Sequence, residues 1–219
     1  MIPVERVTAY LGKFNLSSPD DSKITTSSVF NVFIHPDWDT QNESFDADIA
    51  VVVLDEIIEF NDFIQPACLP TTDEVSGTGA VVGFTKNPNH LISFGFFETT
   101  IMKLEVLAMN SSHCSAIVPR LSRFSSKKMF CGHYNDHREI PCIDDSGFFF
   151  ASDRPKSPVI VKGIVSTSLL DRSRNICHVS EFTGYTNVGS FIEWIEDVIE
   201  DTKSVKLMEI VLKCVGSDV

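Results

Sequence analysis

The sequence predicts an all-β architecture closed by a single C-terminal helix, and three observations predict it. Short runs rich in β-branched and aromatic residues recur along the chain. Turn formers separate them. Apolar residues shift to helical spacing only near the end, where Phe191, Trp194, Ile195 and Val198 follow Ser190.

Taken in order, residues 4–11, 25–34 and 49–54 read as strands between turn signals. Residues 61–76 carry Pro66, Pro70 and Asp73, with Gly77 just beyond, and read as a connector over the surface. Further strands are expected at 78–84, 95–107, 128–131, 148–152, 159–166 and 182–188. Strands this short, with turns between them, suit a sandwich or a barrel. Ser190 is the expected N-cap of a helix over 190–199. In residues 201–219, Val205, Leu207, Met208, Val211 and Leu212 fit either a helix or a strand. No internal repeat or low-complexity stretch is visible.

At 219 residues and 43% hydrophobic content, the chain can bury a substantial core. A net charge of −12 argues against nucleic-acid binding, which needs a basic surface. No apolar run approaches the ~20 residues of a membrane helix, so no membrane partner is expected. Six cysteines lie far apart with no C-x-x-C pair, which disfavours a zinc ribbon or redox motif. Neither a cofactor nor a metal is expected. The wide spacing suits disulfides in a secreted protein. Asn15-Leu16-Ser17, Asn42-Glu43-Ser44 and Asn110-Ser111-Ser112 fit the N-glycosylation sequon. Residues 1–7 lack the apolar core and cleavage site of a signal peptide, so the chain is expected to start inside a longer secreted one.

One segment speaks to chemistry. Cys142-Ile143-Asp144-Asp145-Ser146-Gly147 resembles the nucleophile loop of trypsin/chymotrypsin-like serine proteases, usually Gly-Asp-Ser-Gly-Gly-Pro. Other segments line up with that family in its order. Ile34-His35-Pro36 and Asp48-Ile49-Ala50-Val51 resemble a family strand and the motif holding the catalytic Asp. Gln65-Pro66-Ala67-Cys68-Leu69-Pro70 is similar to the segment between the family's two barrels, and Gly83-Phe84 stands where Gly-Trp-Gly is usual. Met129-Phe130-Cys131 precedes the nucleophile loop, and Gly163-Ile164-Val165-Ser166 resembles the strand that pairs with substrate. Gly184-Tyr185-Thr186-Asn187-Val188 and Phe191-Ile192-Glu193-Trp194-Ile195 are similar to the closing strand and final helix.

The resemblance implies a double β-barrel with a C-terminal helix. Residues 1–60 would form an incomplete first barrel, residues 75–199 the second barrel and helix, and 200–219 an extension. It implies Ser146 as nucleophile and Asp48 as the carboxylate orienting a histidine base. It also implies disulfides Cys114–Cys131 and Cys142–Cys177, with Cys68 joined to a light chain or clip-type segment upstream of Met1. Protein or peptide substrates, or a cascade protease, are the implied partners.

Several family features are altered. The Thr-Ala-Ala-His-Cys motif and the Ile-Val-Gly-Gly-like activation sequence are absent, and His35 stands in a strand context and not that of the base. His90, His113, His133, His137 and His178 follow Asp48 and read as surface or loop residues. Loss of the base in a comparable triad costs about 10⁶ in kcat. Asp144 replaces a glycine in the oxyanion region; a carboxylate about 4 Å from a developing oxyanion opposes it by ~4 kcal/mol at a surface-like dielectric. That rivals the ~3–4 kcal/mol that one oxyanion donor supplies. Ile140, Thr167, Ser168 and Thr183 replace the usual lining of the specificity pocket beside Ser166, which predicts a narrowed pocket without trypsin-like preference. Two roles follow: a serine endopeptidase domain inactive in the residues given, or a non-catalytic homologue binding within an extracellular protease cascade.

Overall fold

The computed structural model describes residues 3–18, 22–38, 46–92, 96–117, 126–134, 149–152, 158–168 and 182–206. A 3₁₀ turn, Val4–Arg6, leads into β1 (Thr8–Leu11), β2 (Thr25–Ile34) and β3 (Ala50–Leu54). These form an antiparallel sheet in the order β1-β2-β3. The middle strand alternates over its first half, with Ser27 and Val29 buried between exposed Thr26, Ser28 and Phe30. Register is set by pairs such as Ala9↔Ser27 and Val32↔Val52, with an irregularity between Val29 and Asn31. Among the described residues this lobe is an open sheet, and Tyr10, Phe30, Ile34 and Val52 are exposed on it.

The second lobe is a closed barrel. Its strands are β4 (Gly77–Ile92), β5 (Phe96–Asn110), β6 (Met129–Tyr134), β7 (Phe149–Ser152), β8 (Val161–Ser168) and β9 (Phe182–Asn187), in the order β4-β5-β6-β9-β8-β7. β4 closes the ring onto β7 through Gly79↔Ser152 to Val82↔Phe149. Closure leaves no edge strand and directs alternate side chains inward. The interior holds Val81, Val106, Ala108, Phe130, Phe150, Val165 and Tyr185. The Phe130 and Tyr185 rings stack with centroids 4.9 Å apart, and Phe150 meets Phe130 edge-on at 5.5 Å. These rings need room on the neighbouring strands. A Cβ at Gly163 would collide with the Phe130 ring, and one at Gly132 with Val106 and Tyr185.

A second apolar cluster joins the lobes. Ala47 and Ile49 pack with Val188, Phe191 and Ile195, near Leu69, Val161 and Ile164. The last three members of the cluster core come from a 3₁₀ turn, Val188–Phe191, and from α2, Ile192–Lys206. The connector after β3 contains no strand and makes only isolated bridges, Asn61↔Ile64 and Cys68↔Ile160. Asn187 Nδ2 donates to the Asp73 carbonyl at 2.8 Å, and Gly189 lies under the Thr72–Asp73 backbone, where a Cβ would not fit.

Several elements depart from expectation. The first strand starts at Thr8 because Arg6 and Val7 turn their amides back to the carbonyls of Pro3 and Val4. β4 runs to Ile92, beyond the expected end at Phe84, and absorbs Pro88 in a register shift between Asn87 and Leu91. A bulge is where a strand tolerates a residue without an amide proton. A short helix, α1 (Ser111–Ile117), was not expected; Asn110 Oδ1 accepts the His113 amide at 2.9 Å and caps it. Ser190 is not the cap of the last helix. It lies inside the 3₁₀ turn Val188–Phe191, which Asn187 caps by accepting the Gly189 amide at 3.1 Å, and the Ser190 hydroxyl donates to the Lys127 carbonyl.

The Cys114–Cys131 disulfide is present, linking α1 to β6 across a Cα–Cα distance of 6.0 Å. Cys142, Cys177 and Cys214 lie outside the described residues. Cys68 is itself disulfide-bonded. Its amide donates to the Val159 carbonyl and its carbonyl accepts the Val161 amide, which seats the connector against β8.

Gly163→Ala should test the ring packing. Overfilling a tight core typically costs about 1–3 kcal/mol, and thermal unfolding should show a loss of that size while Gly77→Ala, which meets no atom within 4 Å, reports only the strain of a positive φ.

Candidate active site

Asp48 lies between Ala47 and Ile49, both buried in the cluster that joins the lobes. With those neighbours packed inward, the Asp48 side chain faces the cleft between sheet and barrel. Ser166 Oγ, from β8, donates to Asp48 Oδ2 at 2.7 Å. Thr186 Oγ1, from β9, donates to the Asp48 carbonyl at 3.0 Å. One barrel hydroxyl thus holds the carboxylate and another holds the main chain. A hydrogen bond this short to a carboxylate is of the charge-assisted, stronger kind.

The cleft beside the carboxylate encloses about 310 Å³ and is lined, among the described residues, by Ile34, Trp38, Asp48, Ile49, Ala50, Ile164 and Val165. That volume is at the lower end of the ~300–1,000 Å³ typical of small-molecule sites. One half-buried carboxylate stands among apolar walls. Such a group accepts an N–H or O–H from whatever enters and fixes its orientation; alone it has no nucleophile. Among the described residues no group of His, Cys, Asp and Glu is arranged to hold a metal ion.

Of the residues singled out from sequence, Asp48 and Ser166 are brought together. Ser166 was expected to line the specificity pocket, and its hydroxyl also engages Asp48. Thr183 is buried on β9 and pairs in register with Gly132 of β6 and Ser168 of β8. Thr167 pairs with Gly184. Ile140, Asp144 and Ser146 lie outside the described residues, as do Cys142 and Cys177. Two contributors were not anticipated. Trp38 gave no signal beyond its proximity to Ile34-His35-Pro36. Thr186 is fully buried, and a polar residue buried in a strand must find a partner; that rule points to it only once burial is known.

His35, the histidine that precedes Asp48, is committed elsewhere. Its ring meets Phe191 and Trp194 edge-on at centroid distances of 5.0 and 4.8 Å. Its Nδ1 accepts the Asp37 amide at 3.1 Å, an arrangement open only to the neutral ring. Burial pushes its pKa below the ordinary histidine value of 6.5; Asp37 opposes that shift and Lys128 adds to it. Lys128 Nζ in turn pairs with Asp37 at 2.8 Å and holds that carboxyl below its usual value.

Comparison with known proteins places this geometry in context. The family model described as Trypsin matches residues 4–195. The chain is similar to Serine protease gd of Drosophila melanogaster, 25% identical over 221 residues covering 86% of this chain and 41% of that protein. It is similar to Limulus clotting factor C of Carcinoscorpius rotundicauda, 29% identical over 201 residues covering 87% and 19%. It is also similar to CLIP domain-containing serine protease HP8 of Bombyx mori, 27% identical over 204 residues covering 87% and 53%. The chain therefore spans between a fifth and about half of the length of these relatives.

Two outcomes follow. Ser166→Ala removes a hydrogen bond to a charged group and should cost about 1.5–3 kcal/mol in denaturant unfolding, with Ser166→Thr restoring part of it. The His35 shift makes stability depend on pH. A histidine with a lowered folded pKa binds more protons when unfolded, so its contribution is complete above 6.5 and is lost as pH falls below it. Melting temperature should fall between pH 7 and 5, and His35→Asn, which keeps an acceptor for the Asp37 amide, should flatten that slope.

Proposed function

The chain belongs to the trypsin family, and from that premise we propose that it is the serine-endopeptidase-type part of an extracellular protein whose ligands are protein or peptide chains. The observation that carries this is the Ser166–Asp48 hydrogen bond in the cleft between the lobes. In the proposed site Asp48 orients the base, Ser146 is the nucleophile, and Asp144 and Ser146 border the oxyanion region. Ile140, Ser166, Thr167, Ser168 and Thr183 border the pocket for the substrate side chain. Residues 1–60 and 75–199 are the two lobes, and 200–219 an extension.

The base follows the order His, Asp, Ser in this family. His35 is the histidine ahead of Asp48, and its ring is occupied by Phe191, Trp194 and the Asp37 amide. We therefore hold that these 219 residues by themselves hydrolyse peptides about 10⁶-fold more slowly than a complete triad. The Cys114–Cys131 and Cys68 disulfides favour an oxidising, extracellular setting. A second role is favoured by one observation, Asp144 where the family has glycine: a non-catalytic homologue that binds within a protease cascade, as the clotting-factor and CLIP-protease relatives suggest.

An alkyl fluorophosphonate probe separates the two. The 219-residue chain should take up no label; label at Ser146 would overturn the absence of a base. A longer version carrying a histidine-bearing segment ahead of Asp48 should be labelled at Ser146, and Ser146→Ala should abolish it. If that version is disulfide-bonded, folded and still unlabelled, the binding role replaces the catalytic one. Asp144→Gly should then raise labelling tenfold or more, from the repulsion it relieves.

A further inference from the structure

The three sequons differ in what the fold does with them. Asn42 lies outside the described residues. Asn15 is half-buried, its Oδ1 accepting the Ser17 amide at 2.8 Å. Asn110 is exposed at the last residue of β5, where it pairs with Phe130 at the end of the β5–β6 ladder. Its Oδ1 accepts the His113 amide at 2.9 Å and so caps α1. That bond turns the carbonyl toward the helix and leaves Nδ2 without a hydrogen bond among the described residues. Ser112, the hydroxyl residue of the sequon, is exposed as well.

We propose that Asn110 carries an N-linked glycan, which rests on the extracellular placement above. Nδ2 forms a bond to C1 of the first sugar of a lipid-linked oligosaccharide. The bond from C1 to the lipid pyrophosphate breaks, the pyrophosphate leaves with the electron pair, and Nδ2 loses one proton. The amide carbonyl is untouched, so the glycosylated residue still caps α1. The sugar leaves from the rim of the barrel, and none of the described residues lining the Asp48 cleft belongs to β5 or α1.

The test is site mapping on the full-length protein from its own source and from insect-cell secretion, before and after enzymatic deglycosylation. Most Asn110 should read as aspartate after deglycosylation. Ser112→Ala should lose the glycan while keeping the Asn110 cap, and Ser112→Thr should retain it; Asn110→Gln removes both and serves as the second variant. Oxidation of Cys114 and Cys131 reports whether the chain reached the secretory pathway. Oxidised cysteines with bare Asn110 overturn this proposal alone. Reduced cysteines with bare Asn110 in the protein's own source overturn the extracellular placement together with it.

Discussion

Asp48 is fastened to the barrel twice, by Thr186 through its main chain and by Ser166 through its carboxylate. The pair of bonds fixes more than one side chain. Ala47 and Ile49 on either side are buried against Val188, Phe191 and Ile195, so the same short segment carries the apolar contact between sheet, barrel and helix. A charge at such a junction is tolerated because it is hydrogen-bonded and half-open to the cleft. Were it fully enclosed, desolvation would outweigh the gain. Asp48 thus sets the orientation of the sheet on the barrel and the polarity of the cleft at once.

The barrel meets that demand through side-chain size. Tyr185 fills the interior from β9, while Thr186, the next residue, turns out of the interior toward Asp48. Strand alternation alone gives one residue to the core and its neighbour to the junction. For the Tyr185–Phe130 stack to form, the strands on either side must lack side chains at Gly132 and Gly163. The glycine of the Gly163–Ser166 segment and the serine at its end therefore act together. One admits the ring that positions the strand, and the other reaches Asp48.

Much of this was visible in the residues. β2 matches its expected bounds because residues 25–34 are rich in β-branched and aromatic residues between turn formers, a local signal. The order of motifs around Asp48, Cys68, Gly163 and Phe191 indicated the fold without any one of them being decisive. The remainder depends on partners far along the chain. The strand expected over 78–84 continues to Ile92, because an irregularity in its pairing with β5 accommodates Pro88. Ser190 had the composition of a cap, but it lies inside the 3₁₀ turn that Asn187, held also by the connector at Asp73, caps. The sequence around Ser166 suggests a pocket residue; that its hydroxyl also reaches Asp48, across a separation of 118 residues, is a further contact. Composition cannot report such a contact, and Ser146, at the centre of the chemical expectation, lies outside the described residues.

The strap over Gly189 has a kinetic side. Thr72 and Asp73 lie across a turn that is made more than a hundred residues later, and the Asn187–Asp73 bond has a separation of 114 residues. The Thr186–Asp48 bond is longer still, at 138. Each doubling of a closed loop adds only about 0.6 kcal/mol of entropy, so the native state tolerates these spans. The pathway is less forgiving, because contacts of high sequence separation slow folding. While the chain emerges from the ribosome, the three-stranded sheet exists before anything it rests on. Its apolar residues wait in water until β8, β9 and the final helix arrive. The sheet, synthesised before the barrel, is thus seated only after it, and through that interval its apolar face is open to aggregation.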